Sequence, residues 1–133
     1  MSVFVTDTHP LVWFLGNKHS DLSKSALKAF AETETGQTFV YIPAVVLWEA
    51  AILERKGKIK LSGGFARWAE MLLANSGLSL APLEPAVIDL AVGYNFNGDP
   101  FDGVITATAA ELSLPLITKD AAIIKSNLVE IYW

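Results

Sequence analysis

Cysteine is absent from the 133 residues. Disulfide scaffolds, thiolate nucleophiles, iron–sulfur clusters and cysteine-ligated zinc are excluded with it, and a reducing compartment is the natural setting. Histidine occurs only at His9 and His19, too few for an imidazole-rich metal site. Charged residues are sparse, at 18 %, and no basic segment precedes an apolar run near the N terminus, where Asp7 interrupts the first hydrophobic stretch. A signal peptide is therefore not expected. Long hydrophobic runs are missing too. The longest uncharged segment, Thr35 to Trp48, contains Gly36 and Pro43 and falls short of the roughly 18 residues a membrane span needs. A cytoplasmic protein that does not engage a membrane is expected.

What is present is apolar. Hydrophobic residues make up 52 % of the chain, enough to bury a core and incompatible with intrinsic disorder. The length suits one domain over 1–133. Net charge is −4, from 14 acidic and 10 basic side chains, a poor overall balance for holding a polyanion. Its distribution matters more than its sum. If Asp7, Glu49, Asp99, Asp102 and Asp120 share one site, setting those five aside leaves nine acidic side chains against ten basic ones.

Strand-like and helix-like segments alternate. Ser2 to Thr6, Thr38 to Ile42, Leu78 to Ala81, Leu116 to Thr118 and Val129 to Trp133 read as strands, being short, apolar and β-branched or bounded by turn residues. Between them lie helical segments: Thr8 to Leu15, then, after a polar break at Gly16 to Ser20, about Leu22 to Glu34. Next come a helix opened by Pro43 that carries Val45 to Leu53, then Phe65 to Ala74, Glu84 to Val92, Asp99–Pro100 to about Leu112, and Asp120 to Lys125. Crossover helices between successive strands predict an α/β fold, a three-layer α/β/α sandwich around a central parallel sheet.

Five carboxylates stand out against this frame. Glu49 has Val45, Val46, Ile52 and Leu53 one helical turn away and no cation among them, so it either marks the wet side of its helix or is met by a group from another element. Asp7 and Asp120 follow the first and fourth strands, at the carboxyl ends where open parallel sheets bind ligands. Each could equally be a turn or capping aspartate. Asp99 and Asp102 flank Pro100 at a helix start, positions that favour a cap and a dipole-stabilised acid. Asp7, Asp120, Asp102 and Glu49 can all face one rim of the sheet. Clustered there they would repel, and the arrangement makes sense with a divalent cation; oxygen-only ligation selects Mg²⁺ or Mn²⁺.

The string Asp7-Thr8-His9-Pro10-Leu11-Val12-Trp13, the Trp48-Glu49 helix, Gly98-Asp99-Pro100-Phe101-Asp102 running into Ile105-Thr106-Ala107-Thr108-Ala109, and Leu116-Ile117-Thr118-Lys119-Asp120 together resemble the PIN domain, specifically the VapC-type toxins of bacterial toxin–antitoxin pairs. The likeness covers essentially the whole chain, in order. It implies a PIN-like nuclease that hydrolyses RNA phosphodiesters with Mg²⁺ or Mn²⁺ held by Asp7, Glu49, Asp102 and Asp120. Asp99 corresponds to a frequent extra acid, and Thr118 to a hydroxyl residue that often lines the site. The resemblance further implies a cognate antitoxin partner and a homodimer. One departure is visible: many such toxins carry arginine after the residue matching Asp102, whereas this chain has Gly103.

The remaining features admit plainer accounts. His9 is read as a structural helix-start residue, since a carboxylate site for a hard ion needs no imidazole. The basic residues from Arg55 to Arg67 form either a solvated helix end or a phosphate-binding patch, for which Arg55 and Lys58 are the candidate RNA contacts. A mean hydropathy of +0.38 is high for a small monomer and agrees with apolar surface covered by a second chain. Two other classes fit an acidic pocket at a sheet edge: a receiver-like or haloacid-dehalogenase-like phosphotransfer domain, with Lys119 as its lysine, and a non-catalytic interaction module in which the acids are only caps.

Overall fold

Five short strands, β1 (Ser2–Thr6), β2 (Thr38–Pro43), β3 (Leu78–Ala81), β4 (Leu116–Ile117) and β5 (Ile131–Tyr132), form one sheet in the order β3-β2-β1-β4-β5. These elements come from a computed structural model that describes residues 1–16 and 18–133; the polar break expected over Gly16–Ser20 includes Asn17, which lies outside the described residues. Every strand pair is parallel. β1 is central, pairing Val5 with Tyr41 on one side and with Leu116 on the other. Its last three residues are accordingly buried, as parallel strands covered on both faces must be.

Helices α1 (Thr8–Leu15), α2 (Lys24–Ala31), α3 (Ala44–Arg55), α4 (Phe65–Leu73), α5 (Pro85–Gly93), α6 (Pro100–Leu112) and α7 (Ala121–Ser126) flank the sheet and connect its strands. The predicted three-layer α/β architecture is the one observed. Its core is assembled from Val5, Leu11, Phe30, Val40, Ile42, Val46, Ile105, Leu116 and Ile117, all fully buried.

Local boundaries differ where tertiary pairing or capping intervenes. Pro43 is the last residue of β2, opposite Ala81, and precedes α3 instead of opening it. At a strand end its missing N–H costs little. α2 is shorter than the segment Leu22 to Glu34, because Ser23 caps it by accepting from the Ala26 amide at 3.0 Å and the chain unwinds after Ala31. The Glu32 carbonyl then takes the amides of Thr35, Gln37 and Thr38. β5 keeps only Ile131–Tyr132 of the expected Val129 to Trp133, since β4 offers just two residues to pair with. β4 stops at Ile117 because the Thr118 hydroxyl turns to a side chain instead.

Two glycines mark close approaches. A Cβ on Gly77 would lie 2.3 Å from the Thr33 carbonyl oxygen, so the turn before β3 closes only on a bare backbone. Gly103 is buried in α6, where a Cβ would stand 3.3 Å from the Tyr94 carbonyl and 3.5 Å from that of Ala91, so α6 packs directly on the backbone at the end of α5.

Since β1 leads to β2 and β3 on one side and the chain returns to β4 and β5 on the other, the order of strands reverses between β1 and β4. Parallel sheets open a crevice beyond the carboxyl ends of the strands at such a point. Asp7 follows β1 there, and Thr118 to Asp120 follow β4.

Candidate metal centre

Asp7 caps α1 and is 7 % exposed. One carboxylate oxygen accepts from the Thr8 amide at 2.7 Å, the other from the Thr118 hydroxyl at 2.7 Å. Thr118 is fully buried and also accepts, at its Oγ1, the amide of Asp120 at 3.0 Å. Asp120 in turn caps α7, taking the Ile123 amide at 3.0 Å. On the other side the Thr8 hydroxyl donates to Glu49 Oε1. A continuous chain of hydrogen bonds therefore runs from Glu49 through Thr8, Asp7 and Thr118 to Asp120, joining α3, α1 and the segment after β4.

A second unit sits at the start of α6. Asp99 caps the helix by accepting the Phe101 amide at 2.9 Å. The Asn97 side chain bridges both acids, its carbonyl oxygen taking the Asp99 amide at 3.0 Å and its amide donating to Asp102 Oδ2 at 2.7 Å. Capping is thus a true account of Asp7, Asp99 and Asp120, but a partial one. Capping alone leaves unexplained why three caps, Asp102 and Glu49 share one rim.

Electrostatics shows that they do share it. Burial pushes the Asp7 carboxyl above its ordinary value against the pull of the Thr118 and Thr8 bonds, and the charges of Glu49 and Asp120 push it further. Burial also raises Glu49, with Asp102 and Asp99 adding to the effect and His9 opposing it. Asp102 is raised to about 6, first by burial and then by Asp99, Asp7 and Asp120, despite its bond from Asn97. The raised carboxyls of Asp7, Glu49 and Asp102 thus each respond to two or more of the other acids, as neighbours do. Among the described residues, however, no three of the acidic or histidine side chains stand in ready metal-ligating positions. Hydrogen bonds to threonine, asparagine and backbone amides hold their oxygens instead. The donor set is nonetheless all oxygen, half-buried or buried and mutually repulsive, which suits a hard divalent cation.

Two cavities meet beside these acids. One of about 230 Å³ is lined by Asp7, Asp120, Lys119, His9, Pro10 and Trp13. A groove of about 500 Å³ shares His9 and Trp13 with it and continues past Lys18, Lys58 and Lys60. Of the two candidate basic contacts, Lys58 lines this groove; Arg55, in the last turn of α3, is not among its walls. His9 is exposed and borders both cavities, a more prominent place than a helix-start role predicts. The sequence does not mark Thr8 or Asn97 as members of this site, and it marks Lys119 only under the phosphotransfer alternative. Asn97 carries a usable signal in its place five residues before Asp102 in a turn; the Thr8 to Glu49 bond spans 41 residues and leaves no local one.

Known proteins resemble this chain in sequence and in fold. A ribonuclease of Mycobacterium tuberculosis, VapC22, is 28 % identical over 122 residues, covering 90 % of this chain and 88 % of the relative. The fold matches the crystal structure of VapBC2 from Rickettsia felis bound to a DNA fragment from its promoter, with a TM-score of 0.67 and 17 % identity over 98 % of this chain and 97 % of that one. It also matches FitAcB from Neisseria gonorrhoeae, with a TM-score of 0.66 and 17 % identity over 98 % of this chain and 96 % of the other. The PIN domain family model spans residues 4–126, which takes in all five acids of the rim. With its sheet order, its strand-end aspartates and that match in agreement, the chain belongs to the PIN domain family.

Proposed function

We propose that this protein is a Mg²⁺- or Mn²⁺-dependent endoribonuclease, the cytoplasmic toxin of a type II toxin–antitoxin pair, cutting RNA by hydrolysis of a phosphodiester. The observation that carries the reading is the hydrogen-bonded row of Glu49, Thr8, Asp7, Thr118 and Asp120 at the reversal point of the sheet, with Asp99 and Asp102 bridged by Asn97 at the start of α6. Asp7, Glu49, Asp102 and Asp120 would hold the ion, with Asp99 beside them. When bound, such an ion supplies acidity to water near neutral pH and positive charge to the phosphate.

The chain's own residues do the rest. Thr118 fixes the orientation of Asp7 and ties it to Asp120, Thr8 holds Glu49, and Asn97 holds Asp102. The groove past Lys58, Lys60 and Lys18 offers ammonium groups to an incoming phosphate backbone, and its opening beside Trp13 leads to the acids. Lys58 is thus a substrate contact in this reading, and Arg55 at most a distant electrostatic one. The VapC22 relative supports ribonuclease chemistry. The toxin–antitoxin structures of similar fold support a cognate antitoxin, and the exposed Trp48, Ile88 and Val92 support a covering second chain, in a homodimer or with that antitoxin.

The test is cleavage of an end-labelled RNA by purified protein in Mn²⁺, beside calorimetric titration with Mn²⁺. Asp7→Asn and Asp102→Asn should each lose at least about 100-fold in rate, since several kcal/mol of charge stabilisation go with the ion, and both should weaken Mn²⁺ binding while circular dichroism stays unchanged. Full activity in either variant, or no Mn²⁺ binding by the wild type, would refute the reading.

A further inference from the structure

Lys119 lies between Thr118 and Asp120, and its ammonium faces two indole rings: the nitrogen is 4.8 Å from the centroid of Trp13 and 5.8 Å from that of Trp133. The rings themselves meet edge to face at 6.4 Å. Trp13 stands on α1 six residues beyond Asp7 and forms a wall of both cavities; Trp133 follows β5. A lysine side chain normally samples many rotamers and loses entropy when fixed. Two aromatic faces restrict it in advance through cation–π contacts.

The place where this charge is held is unusual. Among the described residues, Lys119 is the one lysine or arginine lining the cavity that contains Asp7 and Asp120. Its ammonium meets the face of Trp13, in the wall of that cavity, and the face of Trp133. An apolar side chain would join Trp13 to Trp133 equally well without bringing a charge to the rim. A polyanion, in contrast, meets the carboxylates of Asp7 and Asp120 in that cavity, and an ordered cation in the same wall offsets their repulsion.

We propose that Lys119, steadied by Trp13 and Trp133, is a substrate-binding residue that contacts a backbone phosphate of single-stranded RNA at the mouth of the acidic cavity. This rests on the nuclease reading of the same site. Trp13 and Trp133 act as positioning residues: they order the ammonium, and the groove past Lys58 carries the strand away from it.

The experiment measures binding of a short fluorescent single-stranded RNA by anisotropy in EDTA across a range of salt, and KM against kcat in Mn²⁺. Lys119→Met should weaken binding roughly ten-fold, the worth of one charge-assisted contact, lower the log–log salt slope by about 0.7, and raise KM more than it lowers kcat. Lys119→Arg should restore the slope, while Trp133→Leu should weaken binding with the slope kept. Lys119→Gln serves as a second neutral variant if Lys119→Met folds poorly. An unchanged slope and KM in a folded neutral variant, even with reduced thermal stability, would assign Lys119 to anchoring Trp133 and overturn the proposal while leaving the nuclease reading standing. A wild-type protein that neither binds nor cleaves RNA would overturn both.

Discussion

Thr118 shows how much a single hydroxyl can organise. It donates to Asp7 in a buried bond and accepts from the Asp120 amide in a part-buried one. Thr118→Val keeps the shape and removes both bonds, leaving a buried carboxylate oxygen and an amide without partners. The expected loss is about 1–3 kcal/mol, read as a lower urea midpoint, with Asp120 no longer tied to Asp7. Asp102 gives a prediction of the opposite sense. Its carboxyl titrates near 6 in the fold against an ordinary 3.8, so the folded state binds its proton more readily than the unfolded chain does. That contribution favours the fold below pH 3.8 and is lost as pH rises through 6; Asp7 and Glu49 are displaced in the same direction. In EDTA, stability from these groups should therefore be greater near about pH 5 than near about pH 7.5. Asp102→Asn should raise the pH 7.5 midpoint and flatten the difference.

Among the elements, α6 carries the sharpest constraint. Asp99 as cap and Pro100 as first residue set its start, as the sequence predicts, because N-terminal signals are local. The rest of the helix is decided by packing. Gly103 meets the carbonyls of Ala91 and Tyr94 where α5 ends, so the position that resembles an arginine site in related toxins is here a helix contact. Gly103→Arg should destabilise by roughly 1–3 kcal/mol, the usual range for overpacking. Gly103→Ala should be near neutral, since about 1 kcal/mol of helix propensity offsets a contact of 3.3 Å that needs only a small shift. Urea midpoints of the two variants check both. Local sequence likewise locates α1 and α7 through their aspartate caps but misplaces the ends of α2 and the role of Pro43, whose outcomes depend on Ser23 capping and on pairing with β3.

At the scale of the molecule, exposed apolar side chains such as Trp48, at 61 %, and Val92, at 78 %, lie on α3 and α5, the helices that pack on α6 and its acids. Trp48 meets the ring of Phe101 at 5.3 Å, joining the patch to the start of α6. Such surface is expected to be covered by a second copy or by the antitoxin. Sedimentation of the purified chain at roughly 50 µM should give a dimer, a concentration at which a standard interface is populated; a monomer would rule out a second copy as the cover of Trp48 and Val92. Among the described residues no helix is long and apolar enough to cross a membrane, as the interrupted hydrophobic runs predict.

Composition and local pattern by themselves determined the α/β class, the succession of strands and helices, and where the five candidate acids fall on them, because hydrophobic period and capping chemistry act over a few residues. Only the tertiary structure decided that β1 and β4 lie side by side, which brings Asp7 to Thr118 across 111 residues of chain. It likewise selected Lys119, not Arg55, as the cation at the acidic cavity. Those outcomes depend on which strand pairs with which and on what the ends of α1 and β5 present to each other, and such long-range contacts are specified by the whole core at once and by no single stretch of it.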